Sequence, residues 1–175
     1  MQSLAALAHF DFNAAGAYSY EQALDVIKRL ELPMGCIEEQ FRRMLFNVVA
    51  RNQDDHVKNI AFLMDKSGTW SLSPAFDETY AYNPHGRWTA RHQMTINGKT
   101  DDFTLEDFHA CAATAGLKRG RDREILRDVI KAVEDWPEFA AEAAVTQSHR
   151  DSIARTHRTE VRERHRQSSA GLPLG

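Results

Sequence analysis

Apolar positions recur at helical spacing in most of this chain and at strand spacing in one short stretch. Ser19 is placed to cap a helix that carries Tyr20, Leu24 and Ile27 on one face and ends near Leu30. Pro33-Met34-Gly35 interrupts the chain, and Ile37, Phe41, Met44, Leu45, Val48 and Val49 then mark a strongly amphipathic helix running to about Arg51. Ile60–Met64 and Thr69–Leu72 are two short apolar runs joined by Asp65-Lys66-Ser67-Gly68, which predicts a β-hairpin. Residues 78–102 read as irregular, with one short strand around Gln93–Ile96. Thr104 caps a helix bearing Leu105, Phe108, Ala112 and Ala115 that stops at Gly116. Ile125, Val129, Ile130 and Val133 mark another, ending before Pro137. A last helix is predicted from about Pro137 to beyond residue 160, with a fading apolar face and His149, His157 and His165 loosely along one side. Residues 167–175 read as a disordered tail, so the folded domain is expected over 1–166. The fold class is therefore mainly α with a small β-hairpin.

Composition narrows the function classes. Across 175 residues, 42% hydrophobic and 27% charged content describes a globular domain with a real core. No apolar run approaches a membrane span, and the first residues lack the basic start of a signal peptide, so a cytoplasmic location is expected. Two cysteines, Cys36 and Cys111, do not make a disulfide framework and are read as two buried thiols. Residues 146–175 carry six arginines against three acids, net +3, which leaves −6 on the rest of a chain whose total is −3. That balance argues against direct nucleic-acid binding.

The chemically informative stretch is residues 52–59, NQDDHVKN, a polar loop between a buried helix and the hairpin. Asp54 and Asn59 are five positions apart, and Asp77 follows where the chain leaves the hairpin. Carboxylate and amide oxygens are hard ligands suited to Mg²⁺, which keeps waters and binds best together with substrate phosphates. A further carboxylate beside such a metal can orient an attacking hydroxyl, the layout a phosphotransferase needs. The same residue types also serve a turn whose Asp and Asn side chains satisfy local backbone groups.

The stretch RNQDDHVKNIAFLMDKSGTWSLSPAFD resembles the core of the C-terminal domain of HipA-like serine/threonine kinases, toxins of bacterial toxin–antitoxin systems. SLAALAHFDF and GAYSYEQAL upstream, and RHQMTINGKTDDFTLEDF downstream, are also similar to that family. The D-x-H-x-x-N spacing of Asp54, His56 and Asn59 is similar to the catalytic loop of phosphoinositide-3-kinase-like enzymes. The resemblance implies a kinase C-lobe that transfers the γ-phosphoryl group of ATP to a protein hydroxyl. Asp54 would be the catalytic aspartate, and Asn59 and Asp77 the Mg²⁺ pair. His56 would orient Asp54 or touch phosphate, or else be a histidine satisfied by loop backbone. Lys58 would lie near the transferred phosphoryl group or face solvent, and Asp55 would be a solvated neighbour. SPAFD stands where typical protein kinases have D-F-G. The implied partners are a protein substrate and a DNA-binding antitoxin.

The chain offers no G-x-G-x-x-G phosphate loop, since Gly116-Leu117-Lys118-Arg119-Gly120 and Gly171 lie between or after helices. It is therefore expected to be a C-lobe whose N-terminal lobe, with the ATP-binding lysine, is supplied in cis or in trans. Two other functions fit the residues. A protein-interaction module would use the helices of 104–165 with Trp88, His92 and Met94. A metal-dependent hydrolase would use His56 with Asp54, Asp55 and Asp77, and would hold Zn²⁺ or Mn²⁺ without nucleotide.

Overall fold

The computed structural model describes residues 1–163. A strand, β1 (Gln2–Ser3), opens the chain and runs straight into α1 (Leu4–Ala8), whose first turn is capped by the Ser3 hydroxyl accepting from the Ala6 amide. α2 (Tyr20–Arg29) starts with a reciprocal capping box between Ser19 and Gln22. α3 (Met34–Val49) is the longest helix and buries Phe41, Met44, Leu45, Val48 and Val49. β2 (Ala61–Met64) and β3 (Trp70–Leu72) form the predicted hairpin. The helices α4 (Leu105–Ala115), α5 (Arg121–Glu134), α6 (Trp136–Glu142) and α7 (Gln147–Ala154) complete the domain.

Helix α3 lies at the centre. It packs against α2 on one side and α5 on the other, and α2 also meets α4. Burying the apolar stripes of these helices leaves one continuous core that includes Leu24, Ile27, Phe41, Leu45, Phe108 and Ile125. The small sheet has the order β1-β2-β3, antiparallel throughout. Its central strand sets Phe62, fully buried, into the core opposite Gln2 and Leu72.

The hairpin turn closes as its residues dictate. The Asp65 carboxylate accepts from the Ser67 and Thr69 amides at 2.8 and 3.0 Å and from the Ser67 hydroxyl, and Gly68 adopts φ +85°. The Ser67 hydroxyl bond, with the Thr69 amide, holds the Asp65 carboxyl below its usual range.

Four expectations are corrected. The strand at Gln2–Ser3 was not anticipated: two residues carry no periodicity, and their pairing partner lies about sixty positions away. Gln93–Ile96 forms no strand; Thr95 makes a lone bridge to Ser19, and Ile96 makes another to Lys99. The long terminal helix is two short ones. It breaks at Ala144, whose φ of +55° ends α6, and Thr146 restarts α7. From Arg155 the chain turns back along the domain, because Arg158 donates its amide to the Val49 carbonyl at 2.9 Å and Leu105 donates to that of Arg162 at 3.1 Å. His149 therefore lies on α7, while His157 lies beyond it with its ring edge-on to Trp136, and the two share no helix face. His165 and the tail expected at 167–175 lie outside the described residues. The last correction concerns the thiols: Cys111 is buried but Cys36 only half-buried. No described helix is long and apolar enough to cross a membrane.

Candidate functional site

The loop after α3 is shaped before any of its polar side chains acts. Arg51 takes a left-handed conformation, φ +64°, directly after the helix, and turns the chain away from the helix axis. Val57 and Ile60 are buried and fasten the far end of the loop. The opening strand and helix then lie against it: the Leu4 amide donates to the Ile60 carbonyl at 2.7 Å and the Ala5 amide to the Val57 carbonyl at 3.1 Å. These are two of the donors that a helix N-terminus leaves unpaired. The N-terminal apolar sequence is thus a brace for the loop.

Within the loop, Asn59 folds back. Its amide donates to the His56 carbonyl at 2.9 Å, and its Nδ2 donates to the Asp54 carbonyl at 3.0 Å. The carboxamide is thereby oriented, and its Oδ1 takes no donor among the described residues. The Asp54 carboxylate, half-buried, likewise has no hydrogen bond or ion pair among the described residues.

His56 and Lys58 meet a residue that the sequence reading did not include. Phe12 offers its ring face to the Lys58 ammonium, 3.1 Å from the centroid, and lies edge-on to the His56 ring at 6.3 Å. His56 makes no hydrogen bond to Asp54, and its Nδ1 is buried without a partner. The reading of His56 as a histidine satisfied by loop backbone is therefore corrected.

Asp77 reaches the same region from the hairpin. Ser73 is pinned where β3 ends: its amide donates to the Ala61 carbonyl at 2.9 Å, and its own carbonyl accepts from Arg43 Nη2 at 3.0 Å. Four residues on, Asp77 is left-handed at φ +57°, and its carbonyl accepts from Asn52 Nδ2 at 3.2 Å. Its carboxylate is exposed and makes no hydrogen bond or ion pair among the described residues. The contact that ties Asp77 to the loop therefore runs through Asn52, not through Asn59.

Asp55 is the residue most at odds with its expected role. It is not solvated; it is 2% exposed. Its Oδ2 accepts from the Tyr20 hydroxyl at 2.7 Å and lies 2.8 Å from His92 Nδ1, while its Oδ1 accepts from the Gln93 amide at 2.8 Å. Burial, followed by the charge of Asp55, pushes the Tyr20 phenol well above its usual range. His92 and Met94 are both buried, so two of the three residues offered for an interaction surface are interior, and only Trp88 is exposed. The hydrolase reading loses Asp55 for the same reason. Among the described residues, no group of three or more His, Cys, Asp or Glu is placed to hold a metal. No sequence signal marked Asp55, because its partners lie 35 to 38 positions away.

Glu78, next to Asp77, was also missed. Burial pushes its carboxyl up to about 7, against the pull of the Arg43 charge and the neighbouring Asn52 amide, and the nearby charges of Asp55 and Asp77 add to the rise. A carboxyl raised in the folded state costs stability once it must ionise. The cost is absent below about pH 4.5, grows as pH rises, and is complete above about pH 7. Glu78→Gln is expected to stabilise the domain by roughly 1–3 kcal/mol at pH 8. The gain should vanish at pH 4.5, and urea unfolding at the two pH values checks it.

Comparison with known proteins adds the following. A family model described as the HipA-like C-terminal domain matches residues 1–137. No curated protein matches the sequence. Among solved structures, HipA of Shewanella oneidensis MR-1 is similar in fold; its structure is that of a toxin–antitoxin system with HipB and its operator DNA. It superimposes with a TM-score of 0.61 at 20% identity, covering 78% of this chain and 32% of that one. The chain thus spans about a third of the length of that HipA.

Proposed function

Because this chain belongs to the HipA-like C-terminal domain family, we propose that it is the catalytic C-lobe of a protein serine/threonine kinase. One observation carries the reading. Asp54, Asn59 and Asp77 have side-chain oxygens without protein donors in residues that are half-buried or exposed, whereas Asp55 beside them is buried and engaged through both its oxygens. Oxygens that reach the surface and take no protein donor are available to a cation and its waters.

In this reading Asp54 orients the substrate hydroxyl and accepts its hydrogen bond. Asn59 Oδ1 and the Asp77 carboxylate would hold Mg²⁺. The donor set fits that ion: two hard oxygens leave room for waters and for ATP phosphates. Mg²⁺ would supply charge neutralisation on the transferred phosphoryl group. Phe12 fixes the Lys58 ammonium at the rim of the loop, where it adds positive potential facing phosphate. The buried anchors Val57 and Ile60, and the brace from residues 4 and 5, preserve the loop geometry through turnover.

The nucleotide-covering N-lobe is supplied in cis or in trans, and an antitoxin protein is the proposed regulatory partner, as the structural relative was solved with HipB. The test is transfer of γ-phosphoryl label from ATP to protein serine or threonine, by this chain joined to the N-lobe of a HipA-like protein. Transfer should require Mg²⁺, and the chain alone should bind Mg-ATP weakly. Transfer that survives chelation, tight Mg-ATP binding by the chain alone, or no transfer from a fusion that binds ATP would contradict it.

A further inference from the structure

The polar groups beneath the loop form one connected path. At one end, Asp55 sits beside Asp54 in sequence and accepts from the Tyr20 hydroxyl at 2.7 Å. That same hydroxyl accepts from Asn47 Nδ2 at 3.0 Å. Asn47 Oδ1 accepts from Asn52 Nδ2 at 3.0 Å, and Asn52 Nδ2 also donates to the Asp77 carbonyl at 3.2 Å. The members come from α2, α3, the loop and the segment after the hairpin. None of the four side chains is more than 7% exposed.

The path has a direction imposed by its chemistry. A phenol hydroxyl has one proton, and here it goes to Asp55, so the oxygen is left to accept from Asn47. Both Nδ2 protons of Asn52 are used, one on Asn47 and one on Asp77. Each bond therefore fixes the orientation of the next amide. All four residues are buried, so a link that is broken leaves a buried polar group unpaired, at a cost.

We propose that Tyr20 is a positioning residue whose hydroxyl couples the loop carrying Asp54 and Asn59 to the segment carrying Asp77. The two chain segments are then held in one register by a buried hydrogen-bonded spine rather than by the metal. The coupling is independent of any activity. Its consequence, a metal pair arranged before metal arrives, rests on the kinase reading.

Amide NMR of the whole chain tests it. Tyr20→Phe keeps the packed ring and removes only the junction; Ile27→Val, a fully buried change on the same helix, serves as the packing control. Tyr20→Phe should shift or broaden amides at 54–59 and at 77–78 together, whereas Ile27→Val should leave both sets in place. Asn47→Thr cuts the path beyond Tyr20 and should move 77–78 while sparing 54–59. It also keeps the test decisive if Tyr20→Phe does not fold. With Mn²⁺ as probe, the concentration that half-broadens Asn59 and Asp77 should rise about fivefold in Tyr20→Phe, the factor that one lost hydrogen bond corresponds to. A Tyr20→Phe response confined to one segment, or equal to that of Ile27→Val, overturns the coupling, as does an Asn47→Thr spectrum unchanged at 77–78. A wild-type chain that Mn²⁺ leaves unbroadened at both residues strikes the metal-site reading alone, and the metal-free spectra still decide the coupling.

Discussion

Asp54→Asn is expected to lower phosphoryl transfer by about 10²–10⁴-fold, the range a single general base supplies, while leaving the fold intact. The two halves of this expectation have separate grounds. The loss follows from the role: an asparagine oxygen accepts a hydrogen bond from a hydroxyl but cannot take its proton. The intact fold follows from the geometry. The Asp54 carboxylate has no hydrogen bond among the described residues, and its one structural contact, from Asn59 Nδ2, is to the backbone carbonyl. That contact survives the substitution. Label transfer by the N-lobe fusion, run beside thermal unfolding, measures both. Parental turnover would refute the catalytic role, and a large fall in Tm would make Asp54 a structural group.

One position on, the opposite result is expected. Asp55→Ala should destabilise the domain by about 3–5 kcal/mol, the cost of leaving several buried hydrogen-bonding groups without their partner. The Tyr20 hydroxyl, His92 Nδ1 and the Gln93 amide would all lose their acceptor in a site closed to water. Against the marginal stability of a domain this size, that is enough to unfold much of the population. His92 carries the most risk, because its Nε2 is already buried without a partner. Chemical denaturation of Asp55→Ala beside Asp54→Asn measures the contrast. Equal, small effects would mean that the Asp55 contacts do not support the fold.

Adjacent aspartates in opposite environments mark the limit of what the sequence disclosed. The helices α2 to α5 were legible because their apolar faces repeat over two or more turns, and the hairpin because Asp65 and Gly68 encode its turn locally. From their residue types and spacing, Asp54, Asn59 and Asp77 were expected at a metal-type site; what the structure adds is that their side-chain oxygens take no donor among the described residues. What separates Asp54 from Asp55 is burial against His92 and Gln93, residues that sit in a segment without periodicity. Nothing near Asp55 in the chain announces them. The break at Ala144 was hidden for a related reason. Local helix propensity around Ala140–Val145 gives no warning of it, and the contacts that the chain makes beyond α7, to Val49 and Leu105, are tertiary. Phe12 was missed because an aromatic in a turn-rich segment has no pattern to belong to, although it is the residue that holds Lys58.

The central claim is that Asn59 and Asp77 are arranged to share one divalent cation beside Asp54. Paramagnetic broadening by Mn²⁺ tests it most directly, since trace occupancy of a weak Mg²⁺-type site is enough to broaden nearby amides. Substoichiometric Mn²⁺, with tripolyphosphate as a stand-in for the ATP phosphates, is expected to broaden residues 54–59 and 77–78 first. Excess Mg²⁺ should reverse the effect, and Asn59→Ala or Asp77→Asn should abolish it. Broadening spread over the acidic helix faces, and unchanged by either substitution, would contradict the claim.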